Sequence, residues 1–181
     1  LDSGAIGSLA AGYPLHLWPP DDERLKDTCA YLMENHLLEG GFFHEIAHSG
    51  INPYLTLHLA QVLLRGGDAR YRDLMQAVAE LASPTGQWPE AIHPRTKGGC
   101  MGDGQHVWAA AEWILMIRNC FVREESTGGR LILCSGIPED WLSKGETLYF
   151  GPAPTPFGAI GLTVTTKSDR IQAVSYTHLR A

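Results

Sequence analysis

Residues 87 to 121 read QWPEAIHPRTKGGCMGDGQHVWAAAEWILMIRNCF, and the way this stretch divides decides the fold. Its first half sets Glu90, His93, Arg95, Asp103 and His106 among glycines and prolines, the residues that interrupt regular structure. Its second half, from about Gly104, is apolar on nearly every side of a helix, as a helix enclosed in a core would be. A structureless connection of about twenty residues is either functional or disordered. Trp88, Ile92, Met101 and the prolines at 89 and 94 argue for order. The expectation is a loop that forms the floor of a pocket and feeds a buried helix.

Upstream, three more helices are predicted. The first opens at Pro20, Asp21, Asp22 and Glu23, a capping residue with acids over the positive end of the helix dipole. It carries Leu25, Cys29, Leu32, Met33 and His36 on one face and stops at Gly40 and Gly41. The second opens at Asn52 and Pro53 and ends at Gly66 and Gly67, apolar around most of its circumference. The third, from Asp68, sets Leu74, Met75, Val78 and Leu81 against Arg70, Arg72, Asp73 and Glu80. Residues 1–20 read as a buried approach to these helices.

Amphipathic and enclosed helices therefore alternate, as two layers of helical hairpins would require. The long connectors fall after the first and third helices, so antiparallel hairpins bring both to one end, where binding groups collect. After Glu125 the character changes: GRLILCSGIP, ETLYFGPAPT, AIGLTVTTK and RIQAVSY are short β-type runs. The expectation is a mainly α chain, with a helical domain over residues 1–125 and a small antiparallel β subdomain over 129–176. Residues 175–181, ending in SYTHLRA, read as a non-native tail.

The 181 residues carry a net charge of −6 with no basic stripe, which disfavours a nucleic-acid partner. The apolar run from Val107 to Ile117 is short and broken by Glu112, so no membrane span is predicted. Cys29, Cys100, Cys120 and Cys134 are scattered and read as free thiols. The chain starts at Leu1 without a methionine, and its natural beginning is expected upstream. The compartment is not fixed by the sequence, the cytoplasm being favoured.

Two constellations could carry chemistry. Glu90, beside Trp88 and Pro89 and near His93 and Arg95, suits a carboxylate that stays ionised and takes a proton from water. Such a base serves inverting hydrolysis of a glycosidic bond, with a second carboxylic acid protonating the leaving group. The second is His44-Glu45-Ile46-Ala47-His48, which on a helix would hold zinc between two imidazoles. Its flanks, Gly40-Gly41 and Ser49-Gly50, leave barely two turns. The alternative is that His44 and Glu45 line the same pocket as Glu90, so no metal or other cofactor is predicted and zinc on His44 and His48 stays the alternative.

The helix alternation, GQWPEAIHP followed by GGCMGDGQHVWAAAEW, and LILCSGIPEDWL with GPAPTPFGAIGLTV together resemble the carboxyl-terminal part of a six-hairpin glycosidase over roughly residues 1–166. The resemblance implies a partial (α/α)6 barrel of the glucoamylase-like class and maps the base onto Glu90. It implies an oligosaccharide or glycoside substrate and a general acid lying upstream of Leu1. On this reading the chain is a fragment, inactive and aggregation-prone alone. Phe43, His44, Glu45, Trp88, His93, Arg95, Asp103, Gln105 and His106 are the expected substrate-binding residues. A phosphorylase on the same scaffold, for which Arg95 and Lys97 would serve phosphate, and a non-catalytic glycan-binding module are the remaining alternatives.

Overall fold

In the computed structural model of this chain, which describes residues 2–45, 49–125, 129–143, 145–167 and 170–178, two of the long helices begin where the sequence supplies a cap. The Asp22 side chain accepts the amide of Arg24 at 2.9 Å and starts α2, Glu23–Asn35, whose Leu25, Cys29 and Leu32 are buried. The short α1, Asp2–Ser8, precedes it. Asn52 accepts the amide of Leu55 at 2.9 Å and Pro53 takes the first turn of α3, Pro53–Gly66, where its missing N–H costs nothing. That helix is buried continuously from Thr56 to Leu64. It stops at Gly67, whose φ of 75° is a left-handed conformation that a residue without a Cβ adopts readily. A short turn leads into α4, Tyr71–Glu80, which lays Tyr71, Leu74, Met75, Ala77 and Val78 against the core as the second arm of a helical hairpin. The predicted alternation thus holds for α2, α3 and α4.

It does not extend to the next helix. In α5, Val107–Phe121, the stripe Ala109, Glu112, Met116 is buried, while Val107, Trp108, Ile114 and Leu115 are exposed on another face. The helix expected to be enclosed on all sides is half covered. Among the described residues, no helix is long and apolar enough to cross a membrane.

The larger correction concerns the connectors. Leu37 and Leu38 leave the helix early and form β1, Leu37–Leu38, so α2 ends at Asn35 rather than at Gly40. β1 is followed by β2, Gly41–His44, and β3, Gly50–Ile51; the second long connector contributes β4, Ala91–Ile92, and β5, Gly99–Met101. These five strands form one antiparallel sheet in the order β1-β2-β3-β4-β5. Among the described residues the strands form three antiparallel sheets alongside the helices. The expected mainly α chain, read as a partial (α/α)6 barrel, is therefore corrected to a small mixed α/β architecture. The physical reason is that connectors which are partly buried must pair their backbone N–H and C=O groups, and strands of two to four residues are too short to show an alternating pattern.

The chain divides into two compact units, Leu1–Met116 and Ile117–Ala181. Within the second, β6, Val122–Glu124, pairs with β7, Leu131–Leu133. The helix α6, Glu139–Ser143, precedes a three-stranded antiparallel sheet of β8, Thr147–Thr155, β9, Gly158–Lys167, and β10, Arg170–His178. Ile160, Leu162 and Val164 of the central strand are buried. Phe121 stacks on Phe150 with centroids 4.7 Å apart, and Arg118 grips Glu124 through two bonds of 2.9 and 2.5 Å. Residues 175–178, expected to lie in a non-native tail, are paired with Leu162 to Ala159.

Replacing Asn52 by Ala removes the cap from the most deeply buried helix. The expected cost is about 1–2 kcal/mol, measured as a lowered urea midpoint at unchanged slope.

Candidate functional site

The two long connectors meet through β3. Ile51 pairs with Phe43 on one side and with Ile92 on the other, and Ala91 pairs with Met101. Residues from the 40s are thereby set beside residues from the 90s and the beginning of α5. Two backbone bonds fix the segment around Glu90: its own amide donates to Met101 O at 3.1 Å, and the amide of His106 donates to Trp88 O at 2.8 Å. Glu90 is held at the edge of the sheet, half-buried. Its carboxylate has no hydrogen-bond or ion-pair partner among the described residues.

The other expected site residues divide into those left open and those used up by structure. Trp88, expected to offer a flat face to a sugar, is 4% exposed, donates its indole N–H to Val78 O at 2.8 Å and packs on Trp113. It is a core residue. His93 is exposed, but its Nδ1 accepts the amides of Arg95 and Thr96 at 3.3 and 3.2 Å and so shapes the turn between β4 and β5. Arg95 is exposed on that turn. Asp103 accepts the amide of Gln105 at 3.0 Å, a turn that leads into α5, and both side chains are exposed. The imidazole of His106 is half-buried with Nδ1 sealed from solvent and unpartnered.

Phe43 and His44 lie on β2, half-buried. His44 is therefore in a strand, not on the helix that a zinc-binding H-E-x-x-H requires. Its Nε2 meets Ser3 Oγ at 2.8 Å. Glu45 donates its amide to Asp2 at 2.9 Å, and His48 lies outside the described residues. Burial by itself would raise the Asp2 carboxyl, but the amides of Glu45 and Ser3 and the neighbouring His44 ring outweigh it and hold the group below the ordinary carboxylate range. Among the described residues, no three His, Cys, Asp or Glu side chains gather as a metal site.

A cleft of about 590 Å³ opens beside the β4–β5 turn, where Gln87, Lys97 and Asp103 meet a floor of Gly98, Gly99, Gly102 and Gly104. Glu90 does not line it. Lys97 is engaged in an ion pair with Glu39.

One polar cluster escaped the sequence reading. Glu112 is 6% exposed on the inner side of α5. Gln61 Nε2 donates to its Oε1 at 2.8 Å and the Tyr13 hydroxyl approaches Oε2 at 3.4 Å. His58, on the same side of α3 as Gln61, donates through Nε2 to Tyr13 O, since a carbonyl can only accept. Arg65 lies over the Tyr13 ring at 5.2 Å. Burial pushes the Glu112 carboxyl up against the opposing pull of Gln61, Tyr13 and Arg65, and burial pushes the His58 imidazole down. The sequence signal was a single acid inside an apolar helical run, which registers as a break in hydropathy and not as a partner for residues 99 and 51 positions away.

No family model matches the sequence, and no characterised protein matches it. Solved structures do. The chain is similar to a wild-type glycosidase with a TM-score of 0.53 and 21% identity over 61% of this chain and 34% of that one. Two glycosidase variants give TM-scores of 0.52 at 22% and 21% identity, each over 60% of this chain and 33% of theirs. The chain spans about a third of the length of these structures. At such identities the likeness is one of fold: the chain has a glycosidase-like fold.

Glu112→Gln tests the role of the buried carboxyl. A carboxyl whose folded pKa is raised stabilises the fold fully below its unfolded value, near 4.5, and loses that contribution as pH rises through the folded value. Gln cannot ionise and keeps the acceptor for Gln61. The variant should therefore gain stability relative to the wild type as pH rises, with the two converging in acid. Thermal unfolding across the pH series checks this; a variant that loses stability relative to the wild type as pH rises would mean that the ionised group is what the fold needs.

Proposed function

We propose that this chain is part of a glycoside hydrolase that cleaves O-glycosidic bonds with inversion, Glu90 being the general base. The observation that carries this reading is the state of Glu90: half-buried, its backbone bonded to Met101 beside the pairing of the two connectors, and its carboxylate without a partner among the described residues. A carboxylate so placed is free to take a water molecule and deprotonate it as the water attacks an anomeric carbon. The glycosidase-like fold supports the substrate class, and the Trp-Pro-Glu loop supports kinship with six-hairpin glycosidases. Because the chain spans about a third of those structures, we assign the complete activity, and the acid that protonates the leaving group, to a longer polypeptide.

Around the base, His106, Asp103 and Gln105 follow on the same segment, while Phe43, His44 and Glu45 enter from β2. The polar side chains among them serve to hydrogen-bond sugar hydroxyls, and Phe43 offers an apolar face to the ring. His93 and Arg95 sit on the β4–β5 turn and orient the segment more than they touch the reacting centre. Phosphorolysis draws less support, because Lys97 is already paired with Glu39.

Glu90→Gln should lower kcat on aryl glycosides by about 10²–10⁴-fold with little change in KM, in the intact polypeptide carrying this chain. Proton NMR of the first product should show inverted anomeric configuration. Undiminished turnover in the variant would remove Glu90 from the mechanism, and release of a sugar phosphate on adding inorganic phosphate would replace hydrolysis by phosphorolysis.

A further inference from the structure

We propose that Trp108 and Tyr54 form a stacking platform for a pyranose ring, flanked by the imidazole of His106, at a subsite adjoining the Glu90 segment. The inference rests on the carbohydrate reading above and names residues that the sequence did not single out.

Trp108 is the second residue of α5 and is 65% exposed. Its neighbour Ala109 is buried, Trp88 is buried, and Trp113 is half-buried against Trp88. An indole is among the most strongly apolar surfaces a protein can leave in water, and it is enriched where one face meets a ligand. The ring is braced: Tyr54 lies tilted against it with centroids 5.6 Å apart, and His106 with centroids 5.8 Å apart. Tyr54 is held in the first turn of α3 directly after the Asn52 cap. A braced aromatic plane loses little freedom when a flat partner settles on it.

The polar surroundings choose the partner. A pyranose presents an apolar C–H face ringed by hydroxyls, so its site needs an aromatic plane with donors and acceptors at the margin. His106 supplies that margin. Its ring is half-buried and tied by no hydrogen bond to a described residue, and its backbone is bound to Trp88 O, two residues before Glu90. Further along the same helix, Ile114 and Leu115 are exposed but aliphatic; they would suit an apolar protein partner. Trp108 and His106 lie at the helix's beginning, about 9 Å from Ile114 at 1.5 Å per residue.

The test is saturation-transfer NMR with methyl glycosides of glucose, galactose, mannose, xylose and N-acetylglucosamine, on the intact polypeptide carrying this chain, as wild type, Trp108→Ala and Trp108→Phe. Hydrolysis of aryl glycosides is followed on the same wild-type preparation, with circular dichroism as the fold check. We expect at least one glycoside to bind, tenfold weaker or worse in Trp108→Ala and within about threefold in Trp108→Phe. Equal binding by wild type and Trp108→Ala would overturn the platform and leave the carbohydrate reading standing. So would hydrolysis without detectable binding that Trp108→Ala leaves unchanged. Neither binding nor hydrolysis by the wild type would sink the platform together with the reading beneath it.

Discussion

The first unit depends on one pairing, Ile51 opposite Ile92. Before it forms, the connector after α2 and the connector after α4 are separate excursions, each with main-chain groups that a core cannot tolerate unpaired. Once it forms, β3 supplies hydrogen-bonding partners to both neighbours, and both isoleucines are fully buried. The helices then have a lid of main chain at one end. Glu90 takes its place from that lid and not from any helix.

Two carboxylates in this unit illustrate how environment divides labour. Glu112 is enclosed, bonded by Gln61 and Tyr13 and pushed towards its neutral form. It links α5 to α3 and to the segment that carries Tyr13, and its chemistry is spent on cohesion. Glu90 stands at a partly open edge with its carboxylate uncommitted. The proposed general base needs such a place: a carboxylate accessible to solvent, on a backbone that does not drift.

The helix ends were legible because caps are local. Asp22, Asn52, Pro53 and Gly67 act within a few residues of themselves, and the structure uses each as the sequence suggests. The short strands were not, because β3 and β4 hold two residues each and derive their identity from partners about forty positions away. The same limit hid the half-exposed character of α5, whose residues look uniformly apolar until neighbours are assigned. Among the site residues, Trp88 was misjudged for a related reason. An aromatic beside a proline in a polar loop resembles a ligand platform, and only the carbonyl of Val78 reveals that it points inward. Trp108 sat unnoticed inside the helical run.

The sheet under Glu90 is thin because several of its positions lack side chains. A Cβ at Gly50 would come within 2.7 Å of Cys100 Sγ and 3.0 Å of Ala91 Cβ, and one at Gly99 within 3.0 Å of Pro89 Cβ. Neighbouring side chains and the Ile92 carbonyl fill the space that a Cβ would take at Gly50, and Pro89 crowds the one at Gly99. Such a floor constrains its own composition while leaving the outward-facing positions at 95, 103 and 105 free to vary. Exchanging those rim residues would change the chemistry of the exposed surface there while leaving the footing of Glu90 unaltered.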